Sequence, residues 1–172
     1  MKEYTGNKKS LFVTLGASAG IERAEQDYYA TDPAMALELC KYEELVNVWE
    51  CACGGGHLAK VFERYGLLGR ASDLVNRGYG ESGVDFLAQT ETWDGDIVTN
   101  PPYKYAQRFV EHALDLIPKG RKVCMFLKLT FLEGQSRVSL FRNSPPRTLY
   151  VSVKRVQCAK NGDFTTYSAA SP

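Results

Sequence analysis

Three consecutive glycines between a short apolar strand and a helical pattern constrain the fold of this chain more than any other feature. Val46-Asn47-Val48-Trp49-Glu50 reads as a buried strand and Cys51-Ala52-Cys53-Gly54-Gly55-Gly56 as a turn. Residues 57–65 read as a helix, with Leu58, Val61, Phe62 and Tyr65 at helical spacing and Gly66 as its stop. Strand, glycine turn and helix in this order build the nucleotide-binding half of a doubly wound sheet, because glycine lets backbone N–H groups come close to a ligand. Glu50, at the strand's end, is placed to take an amino group. A second strand, Gly69-Arg70-Ala71-Ser72, ends at Asp73. An acid about 20 residues beyond such a turn typically binds ribose hydroxyls. These elements predict a nucleoside ligand. They also fit a nicotinamide dehydrogenase, with Ala59 in place of the last glycine of that fingerprint. No His/Lys/Tyr set for hydride transfer stands out, and the two histidines, His57 and His112, are assigned no chemical role.

The dehydrogenase reading leaves Asn100-Pro101-Pro102-Tyr103 unexplained. This tetrapeptide follows Asp96-Ile97-Val98-Thr99, a short β-branched strand. Two prolines fix the backbone and remove two donors, and Asn100 before proline is biased to extended geometry. The strand thus ends in a stiff loop holding an amide and an aromatic ring in fixed relation. An exocyclic amine on an adenine ring is a poor nucleophile, because its lone pair is delocalised into the ring. The Asn100 side-chain oxygen and the Pro101 carbonyl are two acceptors able to localise that lone pair, and the Tyr103 ring can stack on the base. Preorganised acceptors aimed where positive charge develops are a large catalytic term.

With these motifs in order, the chain resembles the amino-methylating class of S-adenosylmethionine-dependent DNA methyltransferases. It looks closest to the small adenine-specific enzymes of phages and prophages. Asp27-Tyr28-Tyr29-Ala30-Thr31-Asp32-Pro33 resembles the segment that holds the cofactor's methionine part, which makes Tyr29 and Thr31 candidate cofactor residues. Glu50 to Gly56 resembles the family's glycine motif, which implicates Glu50, Cys53, Gly54 and Gly56. Asp73 matches the ribose-binding acid, Asp85-Phe86 the adenine-binding pair, and Asn100, Pro101, Pro102 and Tyr103 the catalytic tetrapeptide. Leu132-Glu133-Gly134 with Arg137, and Lys160-Asn161-Gly162-Asp163-Phe164, are similar to segments of the same group. The resemblance covers most of the chain from about Lys9 onward. It implies a Rossmann-like α/β fold with an open, mostly parallel sheet and helices on both faces. It also implies S-adenosyl-L-methionine as cofactor and DNA, with its target base flipped out, as partner.

Two departures accompany the likeness. Cys51 stands where the family usually has proline. Relatives also continue with an aromatic-rich antiparallel strand soon after the Asn-Gly-Asp-Phe segment, whereas this sequence stops at Pro172. The C-terminal strand pair is therefore expected to be incomplete and the domain truncated. The tetrapeptide does not choose among acceptors: a cytosine amine, an RNA base amine and the amide of protein glutamine meet the same grip. A catalytically silent domain that binds cofactor or nucleic acid is a further alternative.

The remaining expectations concern organisation. At 172 residues and a net charge of +1, the chain suits one domain without a global polycationic surface. Local basic clusters occur at Lys8-Lys9, 119–122, Arg137, Arg142 and Lys154-Arg155. Five cysteines lack paired Cys-x-x-Cys spacing and read as packed thiols in a reducing cytoplasm, with no metal site. No long apolar run or secretory pattern is present, so membrane insertion is not expected. Residues 1–26 are expected to be a loosely held arm and 27–172 a single domain. Asp32-Pro33 opens a helix to about Glu44. A short strand is expected near 84–87 and a helix over 105–116. Residues 123–129, the longest apolar run, are expected to be a central buried strand, and 149–153 a later strand. No room remains for a dedicated DNA-reading region. The Arg77 loop, 132–142 and 160–164 are the candidate contacts, and a separate specificity subunit is the other source of recognition. The oligomeric state is left open.

Overall fold

Alternating apolar strands and helices fold here into one parallel sheet with a core on each face. The computed structural model describes residues 29–153 and 158–160. The expected N-terminal arm and most of the 160–164 segment lie outside the described residues. In chain order the elements are β1 (Tyr29–Thr31), α1 (Ala34–Tyr42), β2 (Val48–Glu50), α2 (Ala59–Arg64), β3 (Leu68–Asp73), β4 (Glu81–Ser82), β5 (Ile97–Thr99), α3 (Ala106–Leu116), β6 (Val123–Met125), α4 (Val138–Asn143) and β7 (Cys158–Lys160). The five-stranded sheet has the order β4-β3-β2-β5-β6, and every neighbouring pair is parallel. This is a Rossmann-like order. The chain leaves β2 toward β3 and β4 on one side and returns to β5 and β6 on the other. The switch point therefore lies between the carboxyl ends of β2 and β5, where open α/β sheets bind ligands.

Strand periodicity divides the core. Val48 and Val98 pack with Ala36 and Leu39 of α1 and Val61 and Phe62 of α2. Trp49 and Ile97, one residue out of step, pack on the opposite face with Phe86 and with Phe109, Ala113 and Leu116 of α3. Fully burying an aliphatic or phenyl side chain of this kind contributes about 1.5–3 kcal/mol.

The helix ends follow the sequence signals. Asp32 Oδ1 accepts from Ala34 N–H at 2.9 Å, and Pro33 already has helical dihedrals. After α2, Gly66 takes a φ of 68°, Leu67 N–H donates to Phe62 and Gly66 N–H to Glu63, a Schellman stop. The amino ends of the strands are joined by Asp96, which is 2% exposed. Its carboxylate accepts from Val46 N–H and Lys122 N–H, both at 2.7 Å.

Several expected elements differ. The strand expected at 46–50 starts at Val48, because Asn47 adopts a left-handed φ of 48° and Val46 is 47% exposed. Residues 84–87 are no strand: Asp85 caps a 3-10 turn at Phe86–Ala88, and the short strand is β4 instead. The apolar run 123–129 is not a central buried strand. β6 spans only Val123–Met125, is half-buried, and ends the sheet on that side among the described residues. Residues 149–153 form no strand despite their alternation. Arg147 and the Tyr150 hydroxyl both bond Glu43, and the Tyr150 ring stacks on Tyr42, which tethers this segment to the end of α1. Lys122, Tyr150 and Arg147 together hold the Glu43 carboxyl down at about 2. β7 pairs antiparallel with β1 in a separate two-stranded sheet. Among the described residues no helix is long and apolar enough to cross a membrane.

The glycine turn is held by packing. Gly56 has a φ of 81°, and a Cβ there would lie 2.5 Å from carbons of the Tyr79 ring. Gly56→Ala is therefore expected to lower stability by about 2–4 kcal/mol, combining backbone strain and overlap. Gly66 has a φ of 68° with nothing within 4 Å, so Gly66→Ala is expected to cost only about 1 kcal/mol. Urea midpoints of the two variants check this, and equal losses would contradict the packing role of Gly56.

Candidate functional site

A cavity of about 790 Å³ opens at the switch point. Its wall draws on the carboxyl ends of β1, β2, β3 and β5 and on the loops that follow them. Thr31, Glu50, Cys53, Asp73, Asp85, Phe86, Asn100, Pro101, Pro102 and Tyr103 all line it. Ten residues singled out in the sequence, drawn from segments up to about 70 positions apart, thus meet at one place.

Glu50 is the most perturbed carboxyl in the wall. It is 2% exposed, and its Oε1 accepts from Thr99 Oγ1 at 2.5 Å and from Ala52 N–H at 3.3 Å. Burial pushes it up to about 8, with Asp73 adding to the rise, against the lowering effect of those two hydrogen bonds. Thr99 joins the carboxyl ends of β2 and β5 across the switch point. Its place directly before the tetrapeptide was the available signal, hidden by the β-branched strand that contains it.

Asp73 ends β3 and is oriented by backbone donors. Its Oδ2 accepts from Gly54 N–H and its Oδ1 from Val75 N–H, each at 2.8 Å. The two glycines behind it lie deeper than the acid. Gly54 and Gly56 are buried and lie outside the cavity wall. Gly54 spends its N–H on Asp73, while Gly56 donates to Cys53 O and lies under the Tyr79 ring. Both shape the turn, and Gly54 orients the acid.

Cys51 and Cys53 do reach the wall, but burial, with Glu50 next, pushes the Cys53 thiol up to about 12 and the Cys51 thiol well above its usual range. Both are protonated packing groups, as expected. His57 also lines the wall, and burial and Lys60 hold its imidazole below the ordinary value.

Asp85 is exposed and bonds Leu87 N–H at 2.9 Å, while Phe86 is 2% exposed and sits edge-on to Trp49 at 5.3 Å. Phe86 therefore belongs to the core as much as to the cavity. Tyr29 lies in β1, paired with Lys160 of β7.

The tetrapeptide carries the distinctive feature. Asn100 Nδ2 donates to Thr31 Oγ1 at 2.6 Å, and Asn100 Oδ1 is buried without a hydrogen-bond partner among the described residues. A buried acceptor left unmade costs about 1–3 kcal/mol, so this oxygen on a cavity-lining residue stands out from the rest of the wall. The Pro101 ring is fully buried, and Pro102 opens the 3-10 turn Tyr103–Tyr105. The Lys128 ammonium lies 4.8 Å from the centre of the Tyr103 ring. Arg77, Lys104 and Arg108 add positive charge to the wall. Arg137, by contrast, is spent on the carbonyls of Thr130, Phe131 and Glu133 and stacks on Phe131, so it staples its own loop.

No protein-family model and no curated protein matches this chain.

Proposed function

We propose that this protein transfers a methyl group from S-adenosyl-L-methionine to the exocyclic 6-amino group of adenine in DNA. The observation that carries the reading is the buried Asn100 Oδ1, unpartnered among the described residues, on a residue that lines the same cavity as Glu50 and Asp73. The donor set suits the cofactor. Glu50 takes the α-ammonium of the methionine part, Asp73 the ribose hydroxyls, and Asp85 with Phe86 the adenine ring.

When bound, S-adenosylmethionine supplies an electrophilic methyl group, whose C–S bond breaks as the new C–N bond forms. The chain's own residues do the rest. Asn100 Oδ1 and the Pro101 carbonyl accept the two amine hydrogens and localise the nitrogen lone pair. One of those protons leaves to solvent after transfer. Tyr103 stacks on the extruded base, and the rigid Pro-Pro backbone fixes the amine's line of approach. Arg77, Lys104 and Arg108 suit a polyanionic acceptor, and their phosphate contacts predict salt-dependent binding. This favours a nucleic acid over a glutamine amide.

The strand order and Asp73 would equally serve a dinucleotide, which makes the cofactor the point to test. Calorimetric titration is expected to show S-adenosylmethionine binding at least tenfold more tightly than NAD, and Asp73→Ala is expected to weaken that binding by at least about tenfold, the loss of one hydrogen bond to a charged group. Tighter binding of NAD would overturn the reading, and unchanged affinity in Asp73→Ala would remove the ribose role.

A further inference from the structure

Resemblance places Thr31 among the cofactor residues, but its contacts point elsewhere. Thr31 is 3% exposed, and its Oγ1 accepts from Asn100 Nδ2 at 2.6 Å. An asparagine amide is nearly symmetric in shape and opposite in chemistry at its two ends, so rotating it by half a turn exchanges an acceptor for two donors. An acceptor amine needs the oxygen; with Nδ2 facing it, two donors would oppose each other. Asn100 lines the cavity, and with its nitrogen on Thr31 the end left buried without a partner among the described residues is Oδ1.

We propose that Thr31 is the positioning residue that anchors the Asn100 carboxamide by its nitrogen end and thereby keeps Oδ1 aimed at the acceptor. The inference rests on the methyl-transfer reading for its catalytic meaning, but its structural content stands apart from it. Thr31 is suited to the task because it sits on a strand. β1 pairs antiparallel with β7, and Thr31 lies opposite Cys158, so the hydroxyl is carried on hydrogen-bonded backbone. The contact also joins the small two-stranded sheet to the end of β5, two parts of the fold separated by 69 positions in the chain.

Two measurements test this. The first needs no activity. In ¹⁵N–¹H spectra, the Asn100 side-chain NH₂ pair is assigned by its loss in Asn100→Asp. In the wild-type protein it is expected to exchange with water at least tenfold more slowly than exposed asparagine amides. It should shift in Thr31→Val and return in Thr31→Ser. Wild-type exchange as fast as that of exposed amides, or an unmoved resonance in Thr31→Val, would overturn the proposal.

The second is a kinetic cycle. Thr31→Val is expected to lower kcat for methyl transfer about tenfold, the scale of one net hydrogen bond, with little change in the KM for cofactor. Thr31→Ser should restore most of it. In an Asn100→Asp background the same substitution should cost less than threefold, because a carboxylate presents an oxygen whichever way it is turned. Equal losses in both backgrounds would reduce Thr31 to a structural contact and overturn the orienting role. If the wild-type protein methylates no acceptor, the proposed function fails, and the amide spectrum alone decides the Thr31 contact.

Discussion

Asn100→Ala is expected to lower methyl transfer by about 10²–10³-fold while cofactor affinity stays within a few-fold of wild type. The magnitude follows from removing one preorganised group aimed at developing charge. The selectivity follows from the proposed division of roles: the Asn100 side chain bonds Thr31 Oγ1 and its oxygen is the proposed grip on the acceptor, whereas the groups proposed for the cofactor are Glu50 and Asp73. Single-turnover transfer of a tritiated methyl group, with calorimetry on the same sample, separates the two effects. Stability should change little, since the variant also removes a buried oxygen unpaired among the described residues, whose burial is itself unfavourable. A proportional loss of cofactor binding would move Asn100 out of the acceptor site and into the cofactor site.

Glu50→Gln is expected to act in two opposite senses. The Glu50 carboxyl is pushed up to about 8 by burial, from an ordinary value near 4.5. Between those values the folded protein keeps a proton that the unfolded chain gives up. The stability contributed by Glu50 is therefore fully present below about 4.5 and is lost progressively as pH rises toward 8. Glutamine removes this dependence and still accepts from Thr99. In the absence of ligand, the melting temperature of Glu50→Gln should exceed that of wild type by a margin that grows between pH 5 and pH 8.

Binding responds the other way. A carboxylate facing an ammonium group is worth far more than an amide, so affinity for S-adenosylmethionine should fall about 100-fold. Placing the ammonium beside Glu50 should also draw its proton off. Wild-type binding heats at pH 7 should then differ between buffers of different ionisation enthalpy, and those of Glu50→Gln should not. Parallel melting curves across the pH range, or unchanged affinity, would contradict the assigned role of Glu50.

Much of this site was legible because each element announces itself locally. The glycine turn, the acid after β3 and the proline pair fix backbone positions, and a doubly wound sheet brings the carboxyl ends of its strands together whatever their separation in sequence. Thus Glu50, Asp73 and Asn100 meet at one cavity. What stayed hidden depends on contacts between distant segments. Gly54 holds the Asp73 carboxylate and Gly56 packs under the Tyr79 ring, contacts made by segments distant in the chain. The Thr31 hydroxyl faces Asn100, and Thr99 faces Glu50, because of strand pairing and register. At the fold level, residues 123–129 and 149–153 carry strand composition. Burial is nevertheless decided by neighbours: β6 ends the sheet among the described residues, and 149–153 is tethered through Tyr150 to Glu43 and Tyr42. Alternation alone cannot supply a partner strand.

The central claim is that a buried amide oxygen at the end of β5 grips an adenine amine beside a bound sulfonium nucleoside. Incubating the protein with tritiated S-adenosylmethionine and unmethylated DNA, RNA and protein in parallel, followed by nucleoside and amino-acid analysis, tests it most directly. The expected result is label in DNA alone, recovered as N6-methyladenosine's deoxynucleoside and abolished by Asn100→Ala. Label recovered in methylcytosine, RNA or glutamine, or label in DNA that persists at the wild-type rate in Asn100→Ala, would contradict it.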